Sequence, residues 1–459
     1  MIIEGVHIAP VTGPDIPSGY IRIEGDRIAE LGPGPAPQAP GEPRIDGSGC
    51  LATPGLVNTH HHLYQWATQG LAQDATLFEW LVASYRVWAA MDAEVVKGAA
   101  AAGLGYLALS GCTLSSDHHY IFPSGRGDLF AAEIEAARDL GIRFHPARGS
   151  MDRGHSQGGL PPDEVVEDRD TVLAATEAAI DAYHDPSPSS MLRVAVAPCS
   201  PFSVSGELMT EAARLARAKG VRLHTHLAET PDEDEHCAAR FGMRPVDYMD
   251  KLGWLGPDVW FAHTVHLAAA DMDKLAATGT GSAHCPTSNG RVGAGIAPVS
   301  EMLRRGVNVG LGVDGNASSE LTTLSGEMRQ ALLFQRAVHG PTALTARKAL
   351  ELATLGGARN LGRDGELGSL EPGKLADLAL WRMDTAFAAA VDDPVFALVM
   401  AARQPPLARL LVGGRTVVAD DRLTTVDQEE SGRAGAHAHR RLVRLAEERG
   451  FTIAREVHR

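Results

Sequence analysis

LMTEAARLARAKGVRLHTH, residues 208–226, contains the unit from which the fold is read. Leu208–Lys219 is rich in alanine, with apolar residues at helical spacing. After Gly220, Val221–His226 is a short apolar run that ends in histidine. A helix followed by a short buried strand is half of a parallel β/α crossover.

The same alternation extends in both directions. Upstream, Ala93–Leu109 precedes Cys112–Asp117, Leu129–Asp139 precedes Ile142–Ala147, and Thr171–Tyr183 precedes Leu192–Ala197. Downstream, Arg244–Leu252 precedes Val259–His263, Ala268–Ala277 precedes Gly279–Cys285, and Pro298–Arg305 precedes Val307–Val313. With the apolar text that begins at Leu56, this describes an α/β protein built on a (β/α)8 TIM-type barrel, whose chemistry belongs at the C-terminal ends of the strands.

The two ends of the chain read differently. Ile2–Ile8, Ser18–Glu24 and Arg27–Glu30 are short strands between turns, and the Pro/Gly-rich stretch Gly32–Pro43 is a loop. After a helical segment at Ala343–Leu361, short strands return through Leu407–Arg415 and Val417–Asp420, and Gln428–Glu448 is a charged helix. The simplest assembly is a small β-sandwich domain made from both ends: residues 1–54 and 365–459, the latter including the terminal helix, flanking a barrel at 55–364.

Bulk properties exclude several classes. A formal net charge of −15 argues against a nucleic-acid backbone as partner. No apolar run reaches the roughly 18–20 residues of a membrane span, and the N-terminal text lacks a basic-then-apolar leader. Five cysteines (Cys50, Cys112, Cys199, Cys237, Cys285) without CxxC spacing suit a reducing compartment. The expectation is a cytoplasmic protein with neither nucleic acid nor membrane as partner.

Four polar clusters fall at strand ends. His60 and His62 flank His61 after LATPGLVNT, and residues two apart in a strand share a face. In VRLHTHLAET, His224 and His226 share a face, so periodicity does not choose between them. His263 ends VWFAH, and Asp314 ends VNVGLGVD. Each cluster alone reads equally as a satisfied buried polar residue; their common position in the repeat makes the case for a metal site. Imidazoles with a carboxylate suit zinc or iron.

TPGLVNTHHHL, HTHLAET, FAHTVH, HCPTSN, GVDG and GSLEPGKLADL together resemble the amidohydrolase superfamily, in the branch of cytosine and guanine deaminases and triazine hydrolases. The resemblance spans essentially the whole chain. It implies His60, His62, His226 and Asp314 as ligands of one divalent ion, Zn2+ or alternatively Fe2+. It sets His263 at the metal-bound water, as ligand or neighbour. The fourth strand ends APCSPFS without the lysine that two-metal relatives carry, so one ion is expected. It also implies a homo-oligomer, dimer or higher.

Asp314 is then placed to take a proton from water. Glu229, three residues after His226, would carry a proton to a ring nitrogen and on to the leaving group; the bland alternative is a carboxylate at a helix N-terminus. For substrate contacts the candidates are Gln65, His119, Arg148 and Cys199. NTHHHLYQ, DHHYIFP, RGSM, APCSPFSV and HLAETPDED resemble the 8-oxoguanine deaminase group, with isoxanthopterin deaminases as neighbours. That implies hydrolytic deamination of a small heterocycle, an oxopurine, to urate and ammonia in the case of 8-oxoguanine. Rival readings are a guanine-type deaminase, an s-triazine chloro- or aminohydrolase, and a non-catalytic ligand-binding barrel. Trp260 reads as core packing.

Overall fold

The computed structural model describes residues 1–38, 41–386 and 388–451. Eight strands pair in chain order: β1 (Leu56–Asn58), β2 (Cys112–His119), β3 (Arg143–Ser150), β4 (Ala195–Pro198), β5 (Leu223–Leu227), β6 (Val259–His263), β7 (Gly281–His284) and β8 (Val309–Leu311). Every pairing is parallel. The ring is closed just beyond the strand ends. Thr59 N–H donates to Leu311 C=O at 3.0 Å and Asp314 N–H to His60 C=O at 3.1 Å. The expected (β/α)8 barrel is the one formed.

Local chemistry explains the regularity. In the unit read first, Ser205 Oγ accepts from Leu208 N–H and caps the helix Gly206–Lys219, which stops at Gly220 in a left-handed conformation (φ +68°). The helix buries Leu208, Met209, Ala212, Ala213 and Ala216. Each fully buried leucine contributes roughly 1.5–3 kcal/mol. All eight residues of β2 and of β3 are buried. A barrel strand is covered by helices outside and by side-chain layers inside, so it reads as a continuous run without alternation.

Some elements escape this reading. The helices Leu77–Trp88, Pro231–Phe241, Leu324–His339 and Pro394–Met400 are additional. The segment expected as one helix at Ala343–Leu361 is broken by a π-helical turn, Leu352–Gly356. The backbone there lies against β1, where a Cβ on Gly357 would come within 2.8 Å of Val57 O. Within the expected loop Gly32–Pro43, the strand from Arg27 continues to Pro33; residues 39–40 lie outside the described residues.

The chain ends form one nine-stranded mixed sheet. Cys50–Pro54 pairs antiparallel with Leu378–Arg382, so N- and C-terminal strands are neighbours around an apolar core of their own. The terminal helix Gln428–Glu448 lies on Ala93–Leu109, so close that a Cβ on Gly435 would sit 2.5 Å from Ala102 Cβ. Among the described residues no helix is long and apolar enough to cross a membrane.

Barrel and sheet are bolted together by a buried ion pair. Arg143, at the start of β3, donates from Nε (2.8 Å) and Nη2 (3.0 Å) to Asp377, beside the strand Leu378–Arg382. Asp377→Ala strands a guanidinium that is 1% exposed. We expect a loss of about 3–5 kcal/mol in urea denaturation; an unchanged midpoint would reject the bolt.

Candidate metal centre and active site

Four imidazoles meet at the C-terminal mouth of the barrel, and the hydrogen bonds behind them set which nitrogen each presents. His62 Nδ1–H donates to His118 C=O (2.6 Å) and His226 Nδ1–H to Cys199 C=O (2.7 Å). His263 Nδ1–H donates to Asn289 Oδ1 (2.9 Å). His60 is held through a relay. His224 Nδ1–H donates to Trp260 C=O (2.8 Å), which leaves His224 Nε2 as an acceptor for His60 Nδ1–H (2.8 Å). A carbonyl can only accept, so each ring is left with a lone pair on Nε2.

Those lone pairs converge. His62 Nε2 and His226 Nε2 are 3.1 Å apart. Asp314 Oδ1 lies 3.5 Å from His60 Nε2 and 3.4 Å from His62 Nε2. His60 Nε2 is buried without any hydrogen-bond partner. Inward-facing lone pairs with a buried carboxylate fit a divalent cation and leave the donor set unsatisfied without one. His118, whose Nδ1 is also buried and unpartnered, brings a nitrogen within 4.8 Å of those of His60, His62 and His226.

Electrostatics agree with that donor set. Burial pushes the imidazoles of His62 and His226 well below their ordinary value and lowers His60, keeping them neutral as ligands must be. Burial raises Asp314, but His60, His263 and His62 outweigh it and hold the carboxyl well below its usual range. His263 differs: burial lowers it, yet Glu229 and Asp314 hold it above its ordinary value. Its Nε2 is 3.6 Å from Glu229 Oε2 and 3.9 Å from Asp314 Oδ2. Both His263 (φ +71°) and Asp314 (φ +62°) have left-handed backbones, a conformation costing of order 1–3 kcal/mol in a non-glycine residue. The turn made there brings both side chains into the mouth.

Glu229 is 5% exposed, and burial raises its carboxyl to about 7. The bland reading of it as a helix-end carboxylate does not hold. That task falls to Glu233, which accepts from the Ala228 and Glu229 amides (2.9 and 3.3 Å) and so frees the Glu229 carboxyl to face the cavity.

The cavity is lined by His62, His226, Glu229, His263 and Asp314, with Gln65 and Cys199 among the expected substrate contacts. Neither end of the Gln65 amide has a hydrogen-bond partner among the described residues. Gln65 occupies space left by Gly315, where a Cβ would come within 1.9 Å of its Oε1. Burial pushes the Cys199 thiol up to about 12, and the carbonyl of the same residue orients His226.

His119 and Arg148, expected at the substrate, are engaged elsewhere. Arg148 is doubly paired with Glu167 (3.0 and 2.9 Å) and lies 3.7 Å from the Phe122 ring centre. His119 Nε2–H donates to Ile121 C=O (3.0 Å), so its Nδ1 accepts from protonated Glu133 (3.1 Å). Burial lowers His119 to about 4 and raises Glu133 to about 8, a neutral pair in the wall behind the site.

Sequence reading also missed residues. Leu77, Trp80, Leu81 and Tyr85 roof the cavity from the helix Leu77–Trp88. The signal for that helix was available: Thr76 and Glu79 form a capping box, with Thr76 N–H donating to Glu79 at 3.0 Å. Trp260 does more than pack, since its carbonyl sets the tautomer of His224 and its ring stacks on that imidazole at 4.4 Å.

Comparison with known proteins places the chain in a family. A family model described as "Amidohydrolase family" matches residues 51–417. The chain belongs to the amidohydrolase family. This amidohydrolase is 43% identical over 413 residues to an 8-oxoguanine deaminase of Pseudomonas aeruginosa, covering 89% of this chain and 92% of that protein. It is 37% identical over 443 residues to a hydroxydechloroatrazine ethylaminohydrolase of a Pseudomonas species, covering 94% and 89%. Among solved structures, the atrazine chlorohydrolase of Arthrobacter aurescens complexed with zinc superposes with a TM-score of 0.90 at 34% identity, covering 95% of this chain and 99% of that one.

Two predictions follow from the supporting bonds. His224→Leu removes the acceptor behind His60 and should weaken metal affinity about 10–100-fold in chelator competition, with His224→Gln recovering part of it; undiminished affinity would refute the relay. For Glu133, the folded state holds its proton up to about pH 8 while the unfolded chain releases it near 4.5. Native stability therefore falls as pH rises through that window. Glu133→Gln lacks this loss, so its stability advantage over wild type should grow from pH 4.5 to about 8 and then level off; a pH-independent difference in denaturation midpoint would contradict the assignment.

Proposed function

We propose that this amidohydrolase is a hydrolytic deaminase of an oxopurine, with 8-oxoguanine, giving urate and ammonia, as the favoured substrate. The observation that carries the reading is the Gln65 amide. It is buried, unpartnered at both its oxygen and its nitrogen, and on the wall of the cavity that Glu229 and Asp314 also line. Such an amide asks for an adjacent donor and acceptor on the ligand, as the N–H and C=O of an oxopurine lactam edge supply; a ligand without them would leave it unsatisfied. The identity to a protein named 8-oxoguanine deaminase supports the same choice.

His60, His62, His226 and Asp314 would hold one divalent ion, zinc by donor chemistry with iron(II) as the alternative. When bound, such an ion supplies Lewis-acid activation of water at neutral pH. Asp314 accepts a proton as water adds to the amino-bearing ring carbon. Glu229 delivers a proton to the adjacent ring nitrogen, then carries the proton of the added hydroxyl to the amino group; the C–N bond breaks as the carbonyl forms, releasing ammonia, and the proton on Asp314 restores Glu229. His263, whose hold on a proton Glu229 and Asp314 strengthen, offsets negative charge that develops beside them. All five cysteines are free, which supports a cytoplasmic setting. By family analogy the enzyme works as a homo-oligomer.

A second reading, hydrolysis of an s-triazine, is favoured by the apolar roof of Leu77, Trp80, Leu81 and Phe202. Assays of ammonia, alkylamine and chloride release by metal-replete enzyme, run over oxopurines, pterins and chloro- and aminotriazines, separate the two. Turnover of a chlorotriazine with none of any oxopurine or pterin would overturn the proposal. Glu229→Gln should retain the metal and lose about 10²–10⁴ in turnover; retained activity would remove Glu229 from the mechanism.

A further inference from the structure

Away from the catalytic cavity, a second cleft opens at the rim of the barrel between the loop after β3, the helix Gly206–Lys219 and the segments 231–241 and 245–252. Four cations line it, Arg153, Arg214, Arg240 and Lys251. In a chain of net charge −15, none of the four forms an ion pair within 4.0 Å among the described residues, although most other arginines do. Arg153 is the telling one. It is 6% exposed, and its Nη2 is buried with no hydrogen-bond partner. A guanidinium does not give up its hydration without a compensating acceptor. Burial and the neighbouring charge of Arg240 both pull its affinity for its proton down, a strain that an anion would relieve.

The same cleft receives the N-terminus of the 14-residue helix Gly206–Lys219. Ser205 Oγ satisfies the Leu208 amide, and the Gly206 and Glu207 amides of the first turn have no intrahelical acceptor. The Tyr248 hydroxyl lies against that turn, where a Cβ on Gly206 would meet it at 2.9 Å. Opposing them are Glu207 and Glu211, and Glu211 lies 3.4 Å from Arg169. Asp152, which accepts from the Ser205 amide (2.7 Å) and hydroxyl and acts on Arg153, is a third carboxylate beside the cleft, so four cations face three carboxylates and leave a surplus of one positive charge.

We propose that this cleft is a binding site for a phosphate dianion, either free or as a phosphate monoester, held by Arg153 and Arg240 and by the first-turn amides of the helix Gly206–Lys219. Planar guanidinium forks and helix N-termini are the standard protein partners of phosphate, whose several oxygens accept from two forks and the amides at once, as the two oxygens of a carboxylate cannot. The site is independent of the substrate reading above.

Calorimetric titration of the full-length, metal-loaded protein with inorganic phosphate and, separately, with a nucleoside 5′-monophosphate tests it. Saturable binding is expected in at least one arm; tighter binding of the monophosphate assigns the ester, and equal or tighter binding of inorganic phosphate assigns the free ion. Arg153→Met and Arg240→Met should each weaken binding about 10-fold or more, and Glu207→Gln should strengthen it. Arg240 is exposed, so its replacement leaves the fold intact and keeps the test decisive if Arg153→Met does not fold. No saturable binding in either arm would overturn the proposal. So would binding that survives Arg240→Met and disappears in Asp314→Ala, because the anion would then belong to the metal centre.

Discussion

The hydrogen bond from the Asp314 amide to the His60 carbonyl joins the two ends of an eight-stranded ring. Without that closure β1 and β8 would be free edges, and the carboxylate and the two histidines of the HxH pair would have no reason to meet. Thr59 reinforces the seam through both its amide and its hydroxyl on Leu311 C=O, and Asn58 Oδ1 accepts from Val313 N–H. Barrel closure and assembly of the candidate metal site are thus one event. It explains why the ligating side chains lie just past the strand ends, where the backbone turns and side chains can point inward.

A second layer of constraint acts through tautomers. A ligand imidazole must present a bare nitrogen, and here every Nδ1–H is committed to an acceptor fixed by the scaffold: two backbone carbonyls, one asparagine and one buried histidine. The carbonyls belong to neighbouring barrel segments, so the register of the barrel sets the chemistry of the rings. The same logic removes His119 from the substrate. Both of its nitrogens are consumed by Glu133 and Ile121, and it becomes part of the wall.

Much of this was legible in the text of the chain. Strand-ending His60, His62, His263 and Asp314 stood out because buried parallel strands are short apolar runs and a polar residue at their end is conspicuous. Glu229 was legible by its spacing from His226, but its freedom was not: that rests on Glu233, whose carboxylate takes over the backbone amides. Arg148 was misread because a guanidinium at a strand end suits a heterocycle and an internal carboxylate equally, and Glu167 is 19 residues away in sequence. The helix Leu77–Trp88 was passed over although its capping box was present, since its aromatic stripe resembles ordinary core.

By itself, the sequence determined the repeat, the barrel, the strand-end histidines and aspartate that are the candidate ligands, and the family, because hydrophobic periodicity and residue type are local properties written directly in the chain. Only tertiary structure turned His226 and not His224 toward the cavity, enlisted Trp260 in orienting the His60 ring, turned His119 and Arg148 away from the cavity, and gathered into one cleft four cations without an ion pair among the described residues. Those outcomes depend on which carbonyl, carboxylate or hydroxyl lies within about 3 Å of a given side chain. Such partners come from segments tens to hundreds of residues apart, and only the closed barrel brings them together.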